Sequence, residues 1–264
     1  MRQTVVGCIL LLAALVVGQG CSPDAADDPA AARLAAARTV WLAGDYARAE
    51  TAYQGYLKDF PQASGRLEAW RRLADIARNV RGNPGEAAGI LEAALLEFYK
   101  NDTVKDDLAA AAAETWLQAH EPARAVEHLR GLVAETRLPP ERRVRASLQL
   151  ARALRRLHEP QAAMAVLRQC RASGLSPAAV APCSLRLAGL LLETNTPDEA
   201  RALWRAVYED GTVDAALRAS AGFSLGEEAE ARHDRTAART WYEAVRKIYP
   251  NPAVIAKKLD YLRQ

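Results

Sequence analysis

The chain is expected to be all-α, a solenoid of about six helix pairs closed by a C-terminal capping helix, and three observations predict it. From Ala30 onward the composition is that of helices, rich in Ala, Leu, Arg and Glu and without runs of alternating β-branched residues. Six alanines, Ala49, Ala87, Ala125, Ala163, Ala200 and Ala238, recur every 37 or 38 residues, and each has a large apolar residue four positions later: Tyr53, Leu91, Leu129, Leu167, Trp204 and Tyr242. Pro84, Pro122, Pro160 and Pro197 each stand three residues before their alanine, at the first turn of a helix, where the missing N–H is not needed.

Residues 1–20 are expected to stand apart from this fold. Arg2 precedes an apolar, uncharged run from Val5 to Val17, the pattern of a secretory signal peptide. About 13 residues fall short of the ~20 that a bilayer-spanning helix needs. Cys21 follows directly on Gly18-Gln19-Gly20, which resembles the lipobox of bacterial lipoproteins. That resemblance implies lipidation of Cys21, and Ser22 after it favours the outer membrane. Cleavage by an ordinary signal peptidase, leaving Cys21 free, is the alternative; an unpaired cysteine at the mature end of an exported chain is a liability, which favours the lipid. More than one acyl chain anchors stably without a spanning helix. Residues 21–29 are then a lipidated cysteine and a short acidic tether. With Arg2 removed, 34 Lys+Arg face 32 Asp+Glu, so the clustered basic excess required for nucleic acid is not there.

The first pair, residues 30–62, runs from Ala30 to Leu42, breaks at Gly44-Asp45 and resumes from Tyr46 to Asp59, with Pro61 as a stop. In the second, 63–100, Trp70, Leu73, Ala74 and Ala77 line one face of a helix ending at Gly82, and Asn83 is placed to cap its partner. The third, 101–139, opens on Asn101-Asp102-Thr103; Asp106 and Asp107 suit the positive end of the helix dipole, and Ala109 to Ala113 allow close backbone approach beneath Trp116. Its junction His120-Glu121-Pro122 returns in the fourth pair, 140–176, as His158-Glu159-Pro160. The fifth and sixth, 177–212 and 213–252, repeat the small-x-x-Leu-small spacing at Ser184-x-x-Leu187-Ala188 and Gly222-x-x-Leu225-Gly226. Residues 253–264 place Ile255, Leu259 and Leu262 on one face, as a capping helix does.

The pattern over about residues 30–252 resembles the tetratricopeptide repeat, W-x2-L-G-x2-Y followed by A-x3-F and P. The resemblance implies a right-handed α-α superhelix whose neighbouring hairpins share one core, with the first helix of each pair lining the concave face. The period exceeds the usual ~34 residues. Because Leu150 to Ala163 and Leu187 to Ala200 keep the usual spacing, the surplus is expected between pairs, in the second helix or its connector. On the concave face the register selects Arg71, Arg78, Arg145, Leu148, Arg152, Arg155, Leu185 and Phe223. Arginines can hold carboxylates bidentately and the apolar residues can take side chains of an extended or helical peptide; for any one arginine a merely solvated basic face is the alternative. The family's lysine and asparagine clamp for a C-terminal carboxylate is not matched.

Cys8 leaves with the signal, and Cys170 and Cys183 flank the connector between the fourth and fifth pairs. They either bridge or remain two small buried thiols; an oxidising envelope compartment favours the bridge. His120, His158 and His233 lie in turns at least one repeat apart and cannot converge on one ion or substrate, while His128 is a lone helical histidine. Without a Cys-x-x-Cys, a nucleophile elbow or a phosphate-binding glycine loop, no metal, cofactor or small-molecule substrate is expected. Carboxylate pairs such as Glu227-Glu228 read as a solvated face. The expected function is non-enzymatic: a scaffold lipoprotein mediating protein-protein interactions in the bacterial cell envelope, an assembly or secretion accessory factor on the outer membrane facing the periplasm. Its partners would be a protein or peptide and, through the lipid, the membrane. The alternatives are a helical accessory domain of a peptidoglycan-acting enzyme and an unlipidated periplasmic peptide-binding module.

Overall fold

A computed structural model describes residues 28–263, so the expected signal peptide and Cys21 lie outside the described residues. Every regular element in that range is helical. The α-helices are α1 (Pro29–Leu42) and α2 (Tyr46–Asp59), α3 (Arg66–Asp75) and α4 (Pro84–Glu97), α5 (Asp102–Gln118) and α6 (Pro122–Ala134), α7 (Pro140–Arg156) and α8 (Pro160–Arg171), α9 (Pro177–Glu193) and α10 (Pro197–Glu209), α11 (Ala215–Ala231) and α12 (Arg235–Val245), and finally α13 (Pro252–Tyr261). The expected all-α architecture of six pairs and a cap is what the chain adopts.

The six intra-pair turns share one device. Gly44, Gly82, His120, His158, Asn195 and His233 all take the left-handed conformation, with φ between 60° and 78°. In five of them the next N–H reaches five residues back, from Asp45 to Val40, Glu121 to Trp116, Glu159 to Leu154, Thr196 to Leu191 and Asp234 to Ala229, so that each first helix ends in a Schellman closure. The second pair has one residue more between Ala77 and Gly82 than the fourth has between Leu154 and His158. A π-helical turn, Ile76–Val80, absorbs it, and Asn83 bonds to Ala77, six residues back. Asp45, Asn83 and Asp234 then cap the helices that follow.

The chain divides into two compact units between Arg66 and Leu67. In the first, Leu34, Ala37, Ala49, Tyr53 and Tyr56 are buried, and Trp41 meets the edges of Tyr46 and Tyr53 at 5.2 and 6.5 Å. The Arg66 guanidinium donates to the carbonyls of Leu57 and Phe60 and so closes the end of α2.

In the second unit each helix from α4 to α12 packs on the next. The first helices also touch one another, α5 on α7, α7 on α9 and α9 on α11, whereas the second helices do not pack comparably. The stack therefore bends toward the first helices, whose row is the concave side. One continuous apolar strip runs from Ala88 to Leu225. The six repeat alanines are at most 1% exposed, as close passage of helix axes requires. The surplus residues are not in the second helices. Helices α5, α7, α9 and α11 each have 17 residues, against 13 or fewer in α6, α8, α10 and α12. The added turn sits at the start of the first helices, capped by Asn101, Ser176 and Asp214, with Leu138 and Val213 buried just ahead of α7 and α11.

Cys170 of α8 and Cys183 of α9 form a disulfide across 13 positions. At the far end, α13 lays Ile255 and Leu259 on Ala229, Tyr242 and Val245. Lys258 reaches Glu230 at 2.6 Å, and the Tyr242 hydroxyl donates to the same oxygen at 2.6 Å. Gly226 makes room for that tyrosine, since a Cβ there would lie 2.5 Å from its ring.

Candidate functional site

On the concave side of the second unit, α3, α5 and α7 enclose a groove of about 500 Å³. Its origin is a change of residue size in register. Where α7 presents Leu148 and Gln149, and α9 presents Leu185 and Arg186, α5 presents Ala110 and Ala111. These two short side chains leave a notch, floored by Ala74, Ala87, Leu91, Leu132 and Ala146. Ala109 to Ala113 is thus not simply a site of close approach. Ala112 and Ala113 are buried in the core, while Ala110 and Ala111 line the groove.

The rim is charged. Arg71 and Arg78 come from α3 or its π turn, Arg142 and Arg145 from α7, and facing them are Asp75 and Asp107. Asp107 accepts from Arg142 at 2.6 Å and lies 3.8 Å from Arg71. Asp75 accepts from Arg78 at 3.1 Å. Arg145 is exposed and has no carboxylate partner among the described residues. Asp107 is therefore a groove residue rather than a dipole partner, and Asp106 beside it is buried, which raises its carboxyl above the usual range.

Six of the expected site residues fall in two recesses, and two lie outside both. Arg71, Arg78 and Arg145 meet in this groove. Leu148, Arg155 and Leu185 line a second recess of about 360 Å³ with Pro182 and Leu217, where Arg155 pairs with Glu193 at 3.0 Å. Arg152 is exposed on α7 and lines neither. Phe223 is drawn away into the packing under α13, with its ring stacked on Tyr249 at 4.7 Å and lying 5.5 Å from Tyr242. Sequence reasoning missed Asp75, Asp107, Arg142 and Gln149. The signal was the departure of Ala110 and Ala111 from the size of their register mates.

Two side chains read as unpartnered from sequence are engaged. His128 Nε2 lies 3.0 Å from Glu92, which also accepts from the Trp116 indole at 2.7 Å, joining α4, α5 and α6. Burial works to raise the Glu92 carboxyl; the bonds from His128 and Trp116 outweigh it and hold it below its ordinary value. Glu228 is no solvated carboxylate: its side chain is 3% exposed and lies 2.5 Å from Arg201 and 2.9 Å from Arg232. Among the described residues no group of three or more His, Cys, Asp or Glu is placed to hold a metal ion, and no helix is long and apolar enough to cross a membrane.

Fold and groove define the class: an all-α stack of helical hairpins of the tetratricopeptide-like type, with a side-chain-lined concave face. No family model and no curated protein matches the chain. Among solved structures it is similar to the TPR-like repeats of a Podosopora anserina putative kinesin light chain, at 23% identity over 69% of this chain and 94% of that one, with a TM-score of 0.54. It is also similar to PilW, described as a widely conserved type IV pilus biogenesis factor, at 16% identity, 89% and 98% coverage and a TM-score of 0.53. PilF of Pseudomonas aeruginosa follows at 17% identity, 89% and 96% coverage and a TM-score of 0.50.

Proposed function

We propose that the chain is a non-enzymatic interaction scaffold of the bacterial cell envelope, anchored through a lipid on Cys21 and holding a protein partner along the row of first helices. The observation that carries this reading is the groove between α3 and α7, an open, apolar-floored, arginine-rimmed trough with no catalytic constellation in it. Three features support the setting: the signal-like Val5 to Val17 run ahead of Cys21, a disulfide suited to an oxidising compartment, and the fold shared with PilF and PilW. The outer membrane facing the periplasm is the proposed site of attachment, and assembly or secretion the proposed service.

A photo-cross-linking residue at Arg145, expressed in the native cell, tests the scaffold. The expected result is a discrete cross-linked envelope protein, and its absence at this and other concave positions contradicts the reading. The mass of the mature N-terminal peptide tests the anchor: acylated Cys21 is expected, and a free thiol would leave an unlipidated binding module.

A further inference from the structure

The notch over α5 has a composition that selects its occupant. We infer that it takes an acidic segment of the partner protein, seated by one bulky apolar side chain; this rests on the scaffold reading and specifies its chemistry. The floor over Ala110 and Ala111 is mainly aliphatic: the Thr115 hydroxyl already donates to the Ala111 carbonyl, and Gln149 is the one other uncharged polar side chain in the lining, so burial there rewards an aromatic or long aliphatic side chain. The rim sets four guanidiniums against two carboxylates. Asp107 already contacts both Arg142 and Arg71, and Asp75 already accepts from Arg78, while Arg145 has no carboxylate of its own. A carboxylate from a partner completes that ledge with charge-assisted bonds, and a basic segment meets a surplus of like charge. The surplus continues beyond the notch, for Arg152, two turns further along α7, is exposed and also without an ion partner among the described residues. A polymer lying along α7 reaches both.

The test uses the full chain and three fluorescein-labelled synthetic peptides: tryptophan flanked by glutamates, the same peptide with alanine for tryptophan, and tryptophan flanked by lysines. Fluorescence anisotropy is expected to give salt-sensitive binding of the first, at least about tenfold weaker binding of the second and none of the third. Ala111→Leu, which fills the notch, and Arg145→Glu, at an exposed position, are each expected to weaken the first peptide at least about tenfold with melting unchanged. Equal binding of the acidic and basic peptides, no binding of any of the three, or an affinity unmoved by Arg145→Glu overturns the inference. The in-cell cross-link separates the two levels of reading. A partner still captured from another concave position in both variants removes the notch and leaves the scaffold, whereas no captured partner in the unmodified chain removes the scaffold itself.

Discussion

Asp107 of α5 and Arg142 of α7 meet at 2.6 Å although 35 positions separate them, and Arg71 of α3 approaches the same carboxylate at 3.8 Å. One side chain thus sits between three consecutive first helices on the concave face. These groups are between a third and a half exposed, so the ion pairs contribute at most about 1 kcal/mol. Asp107→Asn is expected to leave the melting temperature nearly unchanged and to tighten binding of acidic peptides, with steeper salt dependence. A large loss of stability would make Asp107 a structural clasp instead.

The disulfide between α8 and α9 closes a loop of 13 positions, which in the chain-entropy picture stabilises by about 3 kcal/mol. Reductant, or Cys183→Ser, is expected to lower the denaturant midpoint accordingly. Intact mass should rise by two hydrogens on reduction, and an unchanged mass would mean free thiols.

His158 holds a left-handed φ of 61° at a position occupied by glycine in the first two pairs. Relief of that strain, less the extra freedom glycine has when unfolded, predicts a gain of about 0.5–1 kcal/mol for His158→Gly. Gly82→Val should lose about 1–2 kcal/mol for the same reason. Urea titration reads both, and a destabilised His158→Gly would mean that the imidazole has a role beyond the turn.

The repeat alanines and their glycine counterparts set how closely helices pass. Ala163→Leu places a branched side chain at a fully buried crossing, and Gly226→Ala drives a methyl to 2.5 Å from the Tyr242 ring. Each is expected to destabilise by about 1–3 kcal/mol. Unchanged melting of Ala163→Leu would contradict the register of the whole stack.

Glu92 makes the junction of α4, α5 and α6 sensitive to acid. Its folded pKa lies below the ordinary 4.5, so its contribution is fully present above about pH 4.5 and is lost as the pH falls through the folded value. Below pH 4.5 the melting temperature of the native chain should therefore fall more steeply than that of Glu92→Gln. Parallel curves would show that the cluster carries no such linkage.

The periodic features were readable from sequence because they are local. Alanine spacing, proline at first turns and a glycine or histidine at five of the six left-handed turns all follow from backbone and packing demands that recur every repeat. The π turn was not read from the sequence, where only a helix ending at Gly82 was expected, although its mark is there as the one extra residue between Ala77 and Gly82. The surplus was expected between pairs, as found, but in the second helix or its connector rather than at the start of the next first helix, because length alone does not say which helix grows. The caps at Asn101, Ser176 and Asp214, and the buried Leu138 and Val213, do. The groove was half legible. Arg71, Arg78 and Arg145 fall on the face expected of them, but Asp107 and Arg142 find each other only through the stacking of α5 on α7. Phe223 left the face because Tyr249 and Lys258, far along the chain, offered it more burial than the concave side did.

The Cys170–Cys183 bond encloses the whole connector between the fourth and fifth pairs, where Arg171, Ala172, Ser173 and Gly174 are all exposed. Proteolytic nicking after Arg171 would therefore sever the backbone without releasing either fragment. The two pieces would migrate as one species until thiol exchange freed them, so the most accessible stretch of this connector is also one whose cleavage the molecule survives.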